Sequence, residues 1–189
     1  MTHVDYSLSI TAKITAREAL ERISRVSEWW TKGFTGASQK LGDRFTVRFG
    51  ETFVDFTIVE VIPEERTVWQ VTNSYLHWIN NKTEWTGTRI VWEVLAEHET
   101  TTVRMTHVGL HPGVECYENC EVGWNFCCGE SLLKLLRENK GLPDGRYAVA
   151  LKALMAELRA EGKQAPYSDD EIDKMDVAAV RGALKLYGR

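Results

Sequence analysis

Residues Tyr6-Ser7-Leu8-Ser9-Ile10 alternate apolar and polar, the period of a half-buried strand. From Thr15 to Trp30 the period becomes helical. Thr15 is placed to cap, and Ala16, Leu20, Ile23 and Val26 follow on one face. Gly33, Gly36 and Gly42 mark loops or short pieces. A run of strands comes next. Phe45, Val47 and Phe49 alternate with Arg44, Thr46 and Arg48, and Gly50-Glu51 reads as a tight turn. Phe53 to Ile62 is β-rich and stops at Pro63, and Thr67 to Thr72 follows across Glu64-Glu65-Arg66. After a polar loop holding Asn80-Asn81-Lys82, Thr86 to Val94 places Ile90, Trp92 and Val94 on one face. In Thr101 to Leu110, Val103, Met105 and His107 share a face. Strands joined by short turns predict an antiparallel meander.

Past Pro112-Gly113 the pattern predicts one long helix from Glu115 to about Lys140, stopped by Gly141 and Pro143. Tyr117, Val122, Trp124, Phe126, Leu132, Leu133, Leu135 and Leu136 make it apolar round most of its circumference. Such a helix is buried on more than one side, and the concave face of the sheet is the expected place for it. Two further helices are predicted. One carries the stripe Tyr147, Leu151, Leu154, Met155 and Leu158, with Gly162 as its stop. The other runs from Ile172 to Tyr187 behind the capping box Ser168-Asp169-Asp170-Glu171, with Gln164-Ala165-Pro166 between the two. The fold class expected is α+β: a helix-grip domain over residues 1–143, its curved antiparallel sheet wrapped around the long helix, then a two-helix extension over 144–189.

The 189 residues are 43% hydrophobic, enough for one domain with a core and an appendage. Seven tryptophans are many for this length and suit a core or an apolar pocket. A net charge of −4 with no Lys/Arg block disfavours nucleic acid and anionic membrane as partners. No apolar run approaches a membrane span. Met1-Thr2-His3-Val4-Asp5 lacks the marks of a signal peptide, so a cytoplasmic location is expected. Cys116, Cys120, Cys127 and Cys128 are then expected as thiols.

Several local sequences occur in a telling order. Trp29-Trp30 closes the early helical segment, and Glu84-Trp85-Thr86-Gly87-Thr88 opens a strand. Thr106-His107-Val108-Gly109-Leu110 leads through a proline to Glu115-Cys116-Tyr117, then Cys120 and Trp124. Ser131-Leu132 and Lys140-Gly141-Leu142-Pro143 follow. Over residues 4 to 143 the chain resembles the START-like (SRPBCC) superfamily, in the bacterial branch grouped with homologues of the activator of the heat-shock-protein-90 ATPase. The resemblance implies an apolar cavity between sheet and long helix. Members bind lipids, hormones or aromatic polyketides; a few are cyclases, and some assist a chaperone. Because one fold hosts many functions, the site must decide.

The candidate chemistry is sparse. At about 100° per residue, Cys116, Cys120 and Cys127 fall on one narrow arc and Cys128 lies further round. His107 and His111 precede Cys116-x-x-x-Cys120, and imidazole with thiolate suits zinc, but the usual C-x-x-C spacing is absent. Small side chains that make room beside a cavity are the reading preferred, and neither metal nor cofactor is expected. His107 reads first as a hydrogen-bonded core residue, and more sharply as a polar anchor in an apolar pocket. Trp92 and Trp124 are expected to line such a cavity, with Trp69, Met105, Cys120 and Cys127, and Trp30 and Phe34 to form its mouth. Ser131-Leu132-Leu133-Lys134 matches S-x-x-K without the rest of that catalytic set, and Glu60 and Glu93 would pair only if their strands were neighbours. No acid–base constellation supports catalysis. The expected function is binding of a small hydrophobic or aromatic ligand, by a monomer or homodimer. A chaperone-linked module with a protein partner on the C-terminal helices is the second reading, and a polyketide cyclase-like enzyme the third.

Overall fold

A computed structural model describes residues 3–172, 174, 175 and 177–187. The chain divides into two compact units, residues 1–143 and 144–189.

The first unit is built on a seven-stranded antiparallel sheet. Its strands are β1 (Tyr6–Ala12), β2 (Phe34–Gly36), β3 (Arg44–Phe49), β4 (Thr52–Ile62), β5 (Arg66–Tyr75), β6 (Arg89–Glu97) and β7 (Thr100–Val108). Their order is β1-β7-β6-β5-β4-β3-β2, a meander with the first strand added beside the last. Alternation fixes which face is buried. Phe45, Val47, Val54, Phe56, Ile58, Trp69, Val71, Ile90, Trp92, Val103, Met105 and His107 point into the core, while their neighbours face outward. Thr86 to Thr88 lie in a turn rather than in β6, because Gly87 has φ +90° and cannot continue the strand. Shifts of register between Asp55 and Phe56 and between Ile58 and Glu60 bend the β4–β5 hairpin. The second of these matters for the site. Val59 is the extra residue, so parity reverses beyond it: Val61 pairs with Thr67 on the inner side, and Glu60 pairs with Val68 on the outer.

Between β1 and β2 lie α1 (Ala16–Ser24) and α2 (Val26–Trp29). The predicted cap is present as a capping box. Glu18 N–H donates to Thr15 Oγ1, and Thr15 N–H donates to the Glu18 carboxylate. The long helix runs from Tyr117 to Glu138 in three parts: α3 (Tyr117–Phe126), a π-helical turn (Cys127–Leu132) and α4 (Leu133–Glu138). That turn corrects the expected cysteine arc. A wider turn rotates less per residue, so Cys128 follows Cys120 and Trp124 onto the buried face while Cys127 is only half-buried. Asn139 ends α4 in the left-handed conformation. Gly141 then passes so close to α2 that a Cβ would lie 2.3 Å from the Glu28 carbonyl oxygen, which admits glycine alone. Ser131 Oγ completes the seam, donating to the Trp29 carbonyl (2.6 Å) and accepting from Leu142 N–H (2.7 Å). Tyr6 on β1 donates to Asn125 Oδ1 on α3 (2.7 Å).

The second unit contains α5 (Gly145–Ala160), α6 (Asp169–Ile172) and α7 (Val177–Tyr187) around Leu151, Met155, Ile172, Val180 and Ala183. The box at Ser168 and Glu171 forms as expected. The single helix expected from Ile172 to Tyr187 does not. Bonds from Lys174 N–H to the Glu171 carbonyl and from Met175 N–H to the Ile172 carbonyl tighten the chain after one turn, and α7 starts afresh at Val177.

Candidate functional site

Aromatic rings fill the space between sheet and helices. From one side, Trp85 stacks on Trp124 (5.9 Å between centroids), Trp124 lies against Trp30 (4.8 Å), and Trp30 against Phe56 (5.8 Å). Phe56 stacks on Phe45 (4.8 Å), Phe45 meets Trp69 edge-on (5.1 Å), and Trp69 adjoins Trp92 (5.3 Å). Each such pair adds about 0.5–1.5 kcal/mol beyond area burial.

The two ends of this row differ. At the Trp124 end, His107 is fully buried and both its ring nitrogens are used. Trp124 Nε1–H donates to His107 Nδ1 (3.1 Å). Thr88 Oγ1 donates to the Trp85 carbonyl (2.6 Å), so its oxygen accepts from His107 Nε2–H at 2.9 Å. That fixes a neutral imidazole protonated on Nε2, and burial pushes its pKa down to about 3. Trp85 Nε1–H reaches Cys116 Sγ (3.3 Å). The hydrogen bond with Cys120, then burial, push the Cys116 thiol up, and burial pushes up that of Cys128, so both stay protonated and poor nucleophiles. The Glu84 carboxylate accepts from the Glu115 and Cys116 N–H groups (2.9 and 2.8 Å) at the start of α3. The Glu115 carboxylate returns the tie, accepting from the Asn80 and Asn81 N–H groups, and those bonds lower its pKa. Loop and helix are thus clamped over His107.

At the Trp69 end a cleft of about 690 Å³ opens between α1 and the β4–β5 hairpin. Leu20, Ile23, Val61, Pro63 and Trp69 give it apolar walls, and Arg17, Glu21, Gln39 and Glu64 also line it. Ser38 Oγ donates to the Ser24 carbonyl (2.7 Å) beside it. The indole N–H groups of Trp69 and Trp92 are buried and have no acceptor in the protein, whereas Trp29 donates to the Ile23 carbonyl (2.9 Å).

The residues singled out from sequence are therefore spread along the row. Trp69 lines the cleft. Trp92 packs between Trp69 and Trp29. Trp30 and Trp124 touch near its middle, and half-buried Phe34 lies against Phe45. Met105 is buried opposite Trp92 on β6 and Leu8 on β1. His107, Cys120 and Trp124 belong to the sealed end. His111 stacks on His3 (4.5 Å) instead of joining the cysteines, and among the described residues no group of three or more His, Cys, Asp or Glu is gathered for a metal. None of the four cysteines is in a disulfide. Ser131 is spent on the α2 seam and Lys134 bonds Glu138. Glu60 and Glu93 sit on strands separated by β5, and Glu60 pairs with Arg66 (2.8 Å). The cleft was missed from sequence.

No family model and no curated protein matches the chain. Solved structures do. The Aha1 dimer from Colwellia psychrerythraea, determined in solution, is similar with TM-score 0.60 and 23% identity, over 73% of this chain and 99% of that one. A protein from Staphylococcus saprophyticus follows at 0.55 and 13%, over 73% and 95%. DynU16 of the dynemicin biosynthetic locus gives 0.52 and 19%, over 71% of this chain and 48% of its own. These likenesses establish the helix-grip fold that was expected from the sequence. Among the described residues no helix is long and apolar enough to cross a membrane.

Proposed function

We propose that the protein binds a small hydrophobic or aromatic molecule, in residues 1–143, at the cleft between α1 and the β4–β5 hairpin. The observation that carries this reading is the cleft itself. Its volume is of the size small ligands use, Leu20, Ile23, Val61, Pro63 and Trp69 give it an apolar side among polar lining residues, and through Trp69 it adjoins the row of rings. Where sheet and long helix face each other, the rings already touch one another, which moves the site expected from sequence toward the Trp69 end. Native mass spectrometry of the purified protein, followed by denaturing extraction, tests the proposal. A reproducible extra mass released as an organic molecule supports it. A clean apo mass together with no uptake of neutral aromatic probes rejects it.

A second reading rests on the Aha1 neighbour and on exposed Val149 and Leu186 in the C-terminal unit. It makes residues 144–189 a protein-docking appendage and the molecule a chaperone-linked module, with a homodimer as one form. Pull-down with and without those residues tests it, and identical recoveries reject it.

A further inference from the structure

We infer that the ligand carries a neutral hydrogen-bond acceptor, such as a ketone, ester or quinone oxygen, on a flat apolar body, and that Trp69 is the residue that recognises it, with Trp92 beside it as a second donor. This rests on the binding role just proposed and deepens it. A buried N–H without an acceptor is costly, and native interiors avoid it. In this core Trp29, Trp85 and Trp124 each donate to a protein atom, yet Trp69 and Trp92 donate to none. The two exceptions are neighbours, 5.3 Å apart, and one of them lines the cleft. Both indoles are fully buried, so neither is turned to bulk solvent.

The donors select the chemistry. An indole offers N–H and no acceptor, so a ligand hydroxyl would meet it only through its oxygen. The cleft's charged lining residues are two carboxylates, Glu21 and Glu64, and one guanidinium, Arg17, a balance that does not favour a carboxylate or phosphate. A neutral oxygen on an apolar ring system suits both the indole donor and the apolar side of the cleft.

The test compares two fluorescent probes with the same ring. One is 6-propionyl-2-(dimethylamino)naphthalene, a neutral ketone. The other is 6-propyl-2-(dimethylamino)naphthalene, in which a CH2 replaces the carbonyl. Wild type should bind the ketone about tenfold more tightly, the worth of one buried hydrogen bond. Trp69→Phe trims a wall of the cleft, so both affinities should fall, and the ketone's should fall about tenfold further, which removes most of the preference. Trp92→Phe should remove part of it. Where Phe disturbs folding, 3-benzothienylalanine at position 69, which matches the indole in shape but has no N–H, serves as the second variant. Equal affinity of wild type for both probes, or parallel loss of both in the variants, overturns the inference while leaving a binding cleft. Failure of wild type to take up either probe overturns the binding role and the inference with it.

Discussion

One row of aromatic rings ends in two different ways. Around Trp124 every buried polar atom has a partner: indole to imidazole, imidazole to hydroxyl, hydroxyl to carbonyl, second indole to thiol. Around Trp69 the rings are as deeply buried, but two indole donors are unmatched and a cleft lies alongside. The first arrangement specifies a unique packing, because each member loses its partner if any other moves. The second leaves a demand that something other than the protein can meet. Burial alone does not separate the two ends; hydrogen-bond bookkeeping does.

The comparison is tested most severely by acid. His107 has its pKa pushed down to about 3 in the folded protein against an ordinary 6.5. Below about 6.5 the unfolded chain takes up a proton that the folded chain refuses, so stability falls as pH drops from there to about 3, and this group adds nothing further below that. Across the full window the loss is on the order of 4–5 kcal/mol. His107→Gln, which can still accept from Trp124 and donate to Thr88, removes the titration. Exposed carboxylates held low, such as Glu18 and Glu115, remain in both proteins and cancel. Urea midpoints from pH 7.5 to 4 should therefore fall more steeply in wild type than in the variant. Parallel curves would mean that the imidazole is not sealed.

A smaller effect contrasts two threonines. Thr88→Val keeps the shape but strands the His107 N–H, while the Trp85 carbonyl keeps only the Thr88 N–H, and should cost about 2 kcal/mol in denaturant unfolding at pH 7.5. Thr67→Val, at the cleft, loses one long bond to the Glu60 carbonyl (3.2 Å) from a half-buried position and should cost under about 0.5 kcal/mol. Similar costs at both sites would erase the distinction between the ends.

What could be read in the sequence follows from what period and local pairing encode. The strands other than β2, the long helix, the cap at Thr15 and the capping box at Ser168 were legible because alternation and a Ser/Thr ahead of an apolar run are local signals. The residues that carried the family resemblance now have structural reasons. Glu84, Trp85 and Thr88 tie the loop to α3 and His107, Ser131 stitches α4 to α2, and Gly141 permits their close approach. They mark how the fold is held. The π-helical turn left no period of its own, so Cys127 and Cys128 exchanged the roles that a uniform helix assigns them. The cleft depends on the bulge at Val59 reversing strand parity, a register fact that one strand's sequence does not contain.

The smallest effect is the most direct, since it applies one chemical change at both ends. Trp124→Phe and Trp69→Phe each shrink a fully packed indole to a phenyl ring and remove an N–H. The volume lost is the same, so the packing costs should be comparable. At position 124 the change also leaves His107 Nδ1 buried without a donor, which adds to the loss. At position 69 it removes a donor that had no acceptor, which offsets part of the loss. Trp124→Phe should therefore be the less stable of the two by about 1 kcal/mol, read as the difference in urea midpoints at pH 7.5 multiplied by a common slope. The gap should close when the pair is compared in a His107→Phe background, because the imidazole acceptor that sets the two indoles apart is then gone. A gap that persists there would mean that packing, not the hydrogen bond, distinguishes the two ends, and Trp69 would lose its claim as a donor held in reserve for a ligand.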